Sequence, residues 1–237
     1  MPQVDQLLQK YPELYIIQMN ESLVSLGGTI FVCRVANDFP VRHRYSVEIR
    51  IPLNTDQLPY VIDIGQHINN YQHYYSNGTL CLATDSQIRL RFIDGFDLIA
   101  WMEEFVETYF FSYEYYRCYG SFPFGDRAHG QRGVIQTYQD IFKTDDLRST
   151  LKLMAHIMIS PYRGHQLCPC ASGKRVRDCH GPVILPFYSD ARYRSILESD
   201  FINCINEPKE GGTSGANSNT AKRRYYASDT IFCPLLL

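Results

Sequence analysis

The stretch Asn77-Gly-Thr-Leu-Cys-Leu-Ala-Thr-Asp85 sets one cysteine, Cys81, between two leucines and just beyond an Asn-Gly pair. Both turn residues tolerate positive φ, so the pair marks a tight reversal of the chain. The leucines would anchor the segment against a core while the thiol stays at the edge of the turn. His73, Tyr74, Tyr75 and Ser76 lead into the turn and supply polar side chains. A thiol held this way could be a nucleophile that carries an acyl group as a thioester. The competing reading is a small buried hydrophobe at a strand end, the commoner fate of a free cysteine.

Thioester chemistry has further requirements. A thiol with a pKa of about 8.5 is only a few per cent ionised at neutral pH. Transfer to an amine passes through a tetrahedral intermediate whose oxyanion wants a donor already in place. A lysine acceptor, with a pKa of about 10.4, also needs help in losing a proton. His73 is the candidate for such help, with Ser76 and Asn77 lying between it and Cys81.

A second group of reactive residues has a different character. Cys168-Pro-Cys170-Ala-Ser-Gly-Lys-Arg-Val-Arg-Asp-Cys179-His180 offers three thiols and an imidazole within thirteen residues. Cys168, Cys170, Cys179 and His180 make a closed tetrahedral zinc set with no open position for catalysis, so a structural zinc is expected. The Ser-Gly pair allows the chain to turn back, and Lys174, Arg175 and Arg177 place cations near an anionic thiolate centre. The string resembles the SEC-C motif, Cys-x-Cys followed eight residues later by two adjacent Cys or His ligands, and all four positions are filled. That resemblance implies a small appended unit that mediates contacts. A redox pair is less well supported, because neither couple has the two-residue spacing of a thioredoxin-type site.

The totals exclude several classes. Of the 237 residues, 45% are hydrophobic and 20% charged, as in an ordinary soluble globular chain, and the net charge of −2 gives no general attraction to nucleic acid. No run of apolar residues is long enough to span a bilayer. Met1-Pro-Gln-Val-Asp-Gln has neither the basic nor the apolar region of a secretory signal, so a cytoplasmic location is expected. Eight cysteines in a reducing compartment are candidate ligands, nucleophiles or core residues rather than disulfides. Cys33 and Cys118, in strand-like and helix-like patterns, read as core or near-core filler. Of the eighteen tyrosines, five crowd between Tyr109 and Tyr119 and read mostly as packing.

The elements that must position these groups follow from periodicity. Residues 4–10 suggest a short helix ended at Tyr11-Pro12. Strand patterns occupy 28–35, 45–51 and 60–64; in the second, Val47, Ile49 and Ile51 alternate with Ser46, Glu48 and Arg50. Short turn-forming connections favour an antiparallel meander. After Cys81 a helix is expected from Phe96 to Tyr116, with Asp94 and Asp97 as capping oxygens, and another from Asp145 to Ile159. Helix, sheet, cysteine segment, helices: the class is α+β. Gly211-Gly-Thr-Ser-Gly-Ala-Asn-Ser-Asn-Thr220 reads as a linker.

Together these features resemble the ubiquitin-conjugating enzymes. In that family a His-Pro-Asn tripeptide precedes an Asn-Gly turn and a Cys-Leu pair, on a helix, meander, catalytic segment, helices order. Asn77-Gly78-Thr79-Leu80-Cys81-Leu82 fits that turn and pair, and Leu58-Pro59-Tyr60-Val61 looks like the run before the last strand. The tripeptide departs: it reads Tyr71-Gln72-His73, so His73 stands where the oxyanion-stabilising asparagine would be, which implies altered chemistry. His129-Gly130-Gln-Arg-Gly133, ahead of Tyr138, resembles the His-Gly-x-x-Gly element of bacterial ubiquitin-conjugating-like proteins from antiphage operons. In the short form of these operons the protein accompanies a cGAS-like nucleotidyltransferase.

The resemblance implies a thioester between Cys81 and the C-terminus of such a nucleotidyltransferase, then conjugation to a target amine. It also implies a partition into a conjugating-like domain (1–145), a connecting helix (146–164), a SEC-C-type zinc module (165–207) and a flexible tail (208–237). No phosphate-binding Gly-x-Gly-x-x-Gly is present, so activation of the acyl group would fall to another protein. The alternative is a catalytically inert conjugating fold that acts as an adaptor, binding partners through the fold and the zinc module. Nucleic-acid binding through Lys174, Arg175 and Arg177 is weakly supported.

Overall fold

The computed structural model describes residues 2–206, and the linker and tail expected over 208–237 lie outside them. The chain opens with helix α1 (Pro2–Lys10) and continues into strands β1 (Leu14–Met19), β2 (Leu23–Ala36), β3 (Phe39–Pro52) and β4 (Tyr60–Asp63). These form one four-stranded antiparallel sheet in the order β1-β2-β3-β4, the meander expected from the short connections. Asn37 and Asp38 join β2 to β3 with φ of 51° and 58°, the doubly positive geometry of a two-residue hairpin whose twist matches the strands.

Strands β2 and β3 extend beyond the spans expected from the sequence, β4 ends one residue short of its span, and β1 is an addition. Leu14 is the only buried residue of β1, and the strand carries a register irregularity between Ile16 and Gln18, so it has no clean alternation to read. In β2 the inward face is Val24, Leu26, Ile30 and Val32. Cys33 falls on the opposite face and is exposed, which corrects the expectation that it fills the core. Cys118 does pack against the first core.

Beyond the Cys81 segment come α2 (Asp85–Arg91), α3 (Leu98–Trp101), a π-helical turn (Met102–Val106) and α4 (Glu107–Tyr119), the last three forming one helical run. Asp97 accepts from the Ala100 N–H at 2.9 Å and caps this run. Asp94 does not share that role: its carboxylate pairs with Arg192 at 3.0 Å. Gly120, at φ 65°, ends the helix in a left-handed cap. Tyr109, Phe110, Phe111 and Tyr113 of α4 are buried against the sheet with Val47, Ile49 and Tyr45 in one core. The Tyr45 hydroxyl meets Glu114 at 2.6 Å, so buried phenol and carboxylate satisfy each other. Most of the tyrosine-rich run is therefore packing.

The remaining described chain builds a second core. Helices α5 (Gly130–Phe142), α6 (Leu147–Ile159), α7 (Gly181–Ile184), α8 (Pro186–Ser189) and α9 (Ala191–Asn206) contribute Tyr138, Phe142, Leu153, Met154, Ile157, Ile184, Phe187 and Leu197. Asp146 caps α6 by accepting from Ser149 at 2.8 Å. Cys168 and Val176 are buried in the same cluster, so the Cys/His group is part of this core. The helix expected over 145–159 is present, and it packs its apolar face into the core that also holds α5 and α9.

Candidate functional site

Cys81 is presented by a backbone staple. The Gly78 N–H donates to the Tyr75 carbonyl at 2.9 Å, the Tyr75 N–H to the Thr79 carbonyl at 3.0 Å, and the Thr79 N–H to the Asn77 side chain at 3.0 Å. Gly78 has φ 85°, where any Cβ is strained, and a Cβ there would sit 3.2 Å from Ile62. The turn is pinned to β4 by Asp63 N–H to Gly78 O and Leu80 N–H to Val61 O, both at 2.9 Å. Leu80 is buried, as the flanking-leucine argument requires. The Cys81 N–H then donates to the His73 carbonyl at 2.9 Å, and the buried Tyr109 hydroxyl donates to the same oxygen at 3.0 Å. His73 and Cys81 are thus fixed to each other through the main chain.

The side chains converge with a third residue. Cys81 Sγ lies 3.3 Å from Nδ1 of His129, and the His129 and His73 rings stand 4.5 Å apart at 43°. One ligand-type atom from each of Cys81, His73 and His129 falls within 4.8 Å of the other two. His73 Nε2 is 3.4 Å from the Asp126 carboxylate, which also accepts from Gln72 at 2.6 Å. His129 occupies the position before α5, with extended backbone angles and no side-chain capping bond, so its imidazole is available to the sulfur. Behind it the Ala128 N–H donates to Gln136 at 2.8 Å, Arg127 pairs with Asp140 at 2.7 Å, and Thr84, the cap of α2, meets Thr137 of α5 at 2.9 Å.

Gly133 completes this support. A Cβ at this position would clash with the Ala128 carbonyl oxygen. Gly133→Ala should therefore push the 126–129 segment away from Cys81, although Gly to Ala in a helix ordinarily gains about 1 kcal/mol. The expected result is slower alkylation of Cys81 at neutral pH with the far-ultraviolet helix signal retained. An alkylation rate equal to wild type would show that the segment tolerates the methyl without moving His129.

Electrostatics separate the roles. Burial pushes the Cys81 thiol above its ordinary value, opposed by a hydrogen bond from the Tyr75 hydroxyl. Tyr75 is itself pushed up to about 12, chiefly by that bond, so it stays a donor to the sulfur. Burial and then the neighbouring His129 lower the His73 imidazole, against the opposing pull of Asp126. His73 is thus neutral at pH 7, and the thiol is mostly protonated unless a base takes its proton. His129 Nδ1 is placed to be that base.

These groups open into a cavity of about 710 Å³ lined by both cores, including Tyr71, Phe122 and Leu82 on one side and Asp200, Asn203 and Cys204 of α9 on the other. It is large enough to admit an extended peptide end beside the thiol. Asp126 and the closeness of His129 to Cys81 were not deducible from spacing, because 48 residues separate the thiol and its imidazole neighbour. His67 stands apart, its Nε2 accepting from the Ser46 N–H at 3.3 Å in a packing role.

The second group is equally compact. Cys168 Sγ and Cys179 Sγ each lie 3.3 Å from His180 Nδ1, and Cys170 Sγ is 3.6 Å from Cys179 Sγ. Tetrahedral coordination with metal–sulfur bonds of ~2.3 Å and metal–nitrogen bonds of ~2.0 Å implies edges of roughly 3.5–3.8 Å, so the four donors fit a small tetrahedral cation. Ser172 Oγ, 3.2 Å from Cys170 Sγ, braces the loop. Burial raises the Cys168 thiol to about 11, and a central cation would let three thiolates coexist there. Among the described residues no helix is long and apolar enough to cross a membrane.

Comparison with protein-family models, with curated proteins and with solved structures found no match.

Proposed function

We propose that this protein is a ubiquitin-conjugating-like acyl transferase whose nucleophile is Cys81. The single observation that carries the reading is the thiol–imidazole pair, Cys81 Sγ to His129 Nδ1 at 3.3 Å, on the wall of a large cavity. The four-stranded meander, the Asn77-Gly78 turn and the helical run that follows give it the element order of a conjugating fold. In the reaction, His129 takes the thiol proton and the sulfur attacks an activated carbonyl at a protein C-terminus. The S–C bond forms and the activating group leaves with the bond electrons. An incoming neutral amine then attacks the thioester carbonyl, expels the Cys81 thiolate, gives its proton up to that sulfur and yields an amide.

His73 stands beside this centre and serves the oxyanion in place of an asparagine when its single neutral N–H points at the oxyanion and not at the Asp126 carboxylate 3.4 Å from Nε2. The acyl donor we favour is the C-terminus of a cGAS-like nucleotidyltransferase, activated by a separate enzyme, with priming of bacterial antiphage defence in the cytoplasm as the outcome. The Cys168, Cys170, Cys179 and His180 group holds zinc in a structural, SEC-C-like role. Cys168→Ser with Cys170→Ser should lose about one zinc per chain and make residues 147–206 sensitive to limited proteolysis, because Cys168 belongs to the second core. Metal content by mass spectrometry and trypsin mapping check both; retained zinc would contradict the assignment.

The inert adaptor is favoured by one specific observation, the burial that holds the Cys81 thiol above its ordinary value. Cys81→Lys separates the two readings. A transferase should then accumulate a thiol-resistant amide with its acyl donor when co-expressed with the products of neighbouring genes. An adaptor should show no such product.

A further inference from the structure

The Cys81 centre has the composition of a metal site as well as of a nucleophile. Its three potential ligand atoms, one each from Cys81, His129 and His73, lie within 4.8 Å of one another. The thiol–imidazole separation is the same as in the Cys168, Cys170, Cys179 and His180 group, 3.3 Å for Cys81 with His129 and 3.3 Å for Cys168 with His180. Asp126 stands 3.4 Å from His73 Nε2 and is itself held by Gln72 at 2.6 Å. A carboxylate against a ring nitrogen is the usual brace of a metal-binding histidine.

We propose that Cys81, His73 and His129 form a second site for a thiophilic divalent cation of the zinc class, and that its occupation switches the Cys81 thiol off. The regulatory half of this proposal rests on the acyl-transfer reading above. One thiolate and two neutral imidazoles select zinc-like ions over magnesium or calcium, which prefer oxygen donors. Three protein ligands leave the fourth position to water from the cavity, so this cation exchanges more readily than one in the closed four-ligand group. On binding, the Cys81 S–H bond breaks, the proton goes to solvent and the sulfur lone pair becomes a metal bond. Metal-bound sulfur is a poorer nucleophile than free thiolate and the cation fills the approach an acyl carbon needs, so occupation opposes thioester formation.

The test uses the full chain and zinc chloride, with no acyl donor. Wild type should hold one more zinc per chain than Cys81→Ala or His129→Ala, and mild chelation should remove this extra ion first. Zinc, and not magnesium, should slow N-ethylmaleimide alkylation of Cys81, mapped by peptide mass, by about tenfold or more. Equal zinc content in wild type and both variants, or Cys81 alkylation unchanged by zinc, would overturn the proposal. Neither readout involves acyl transfer, so their failure leaves the thioester reading standing. Absence of a thioester in the chelated chain would instead count against that reading alone.

Discussion

Cys81→Ala is expected to abolish every reducible covalent adduct of this chain with a protein acyl donor, and with it any conjugation. The effect should be a complete loss, because among the described residues the other thiol–imidazole contacts, Cys168 and Cys179 with His180, belong to the four-residue Cys/His group and not to the cavity. Cys204 lines the same cavity on α9, and it is Cys81 that stands 3.3 Å from the His129 nitrogen. The substitution should not disturb the fold. The Cys81 main chain is held by its N–H to the His73 carbonyl and the preceding turn by contacts to β4, none of which uses the sulfur. Cys81→Ser keeps the volume and should trap an oxygen ester that survives thiol and is cleaved by alkali. A Cys81→Ala chain that still forms a thiol-sensitive adduct would move the nucleophile elsewhere.

His129→Ala is the second large expected effect. Because burial keeps Cys81 protonated at neutral pH, removing the base should slow thioester formation by about 10²–10⁴-fold. The deficit should close as pH rises, since hydroxide can then take the thiol proton and the imidazole is no longer needed. His73→Ala should cost less and should not be rescued by alkali, because in the proposed reaction His73 offers a hydrogen bond and takes no proton. Rates of adduct formation across a pH series, measured on both variants, separate the two roles. A His129→Ala deficit that persists unchanged at high pH would mean that the ring only holds the segment in place.

The parts of this site that rest on short-range rules could be read from the chain. Asn77-Gly78 forces the turn that presents Cys81, and four ligands within thirteen residues meet because a Ser-Gly reversal can bring them together. The alternation of Val47, Ile49 and Ile51 and the helical recurrence of Trp101, Phe105 and Tyr109 likewise locate one sheet face and one helix face. Tertiary contacts were not legible. In the sequence His129 stands out only as part of the His-Gly-x-x-Gly resemblance, yet it lies 3.3 Å from the sulfur, and α5 docks against the cap of α2 through Thr84 and Thr137.

Helix α5 itself was hidden by glycines at 130 and 133, which lower helix propensity. Gly133 is there for the close approach of the Ala128 carbonyl, a constraint visible only once the segments are packed. Helix α9 carries little apolar periodicity, because its apolar side is sparse, with Leu197 its fully buried member and Phe201 partly so. It nevertheless forms one wall of the cavity. The Cys81 segment and the half that carries the Cys168, Cys170, Cys179 and His180 group, separable by composition, therefore share a surface.

Intact mass under non-reducing conditions, on wild-type chain co-expressed with the products of its neighbouring genes, tests the central claim most directly. The account predicts an added protein mass that disappears on treatment with thiol, maps to Cys81 and is missing from Cys81→Ala. An unmodified wild-type chain in the presence of an activated donor, or an adduct that maps to another residue, would contradict it.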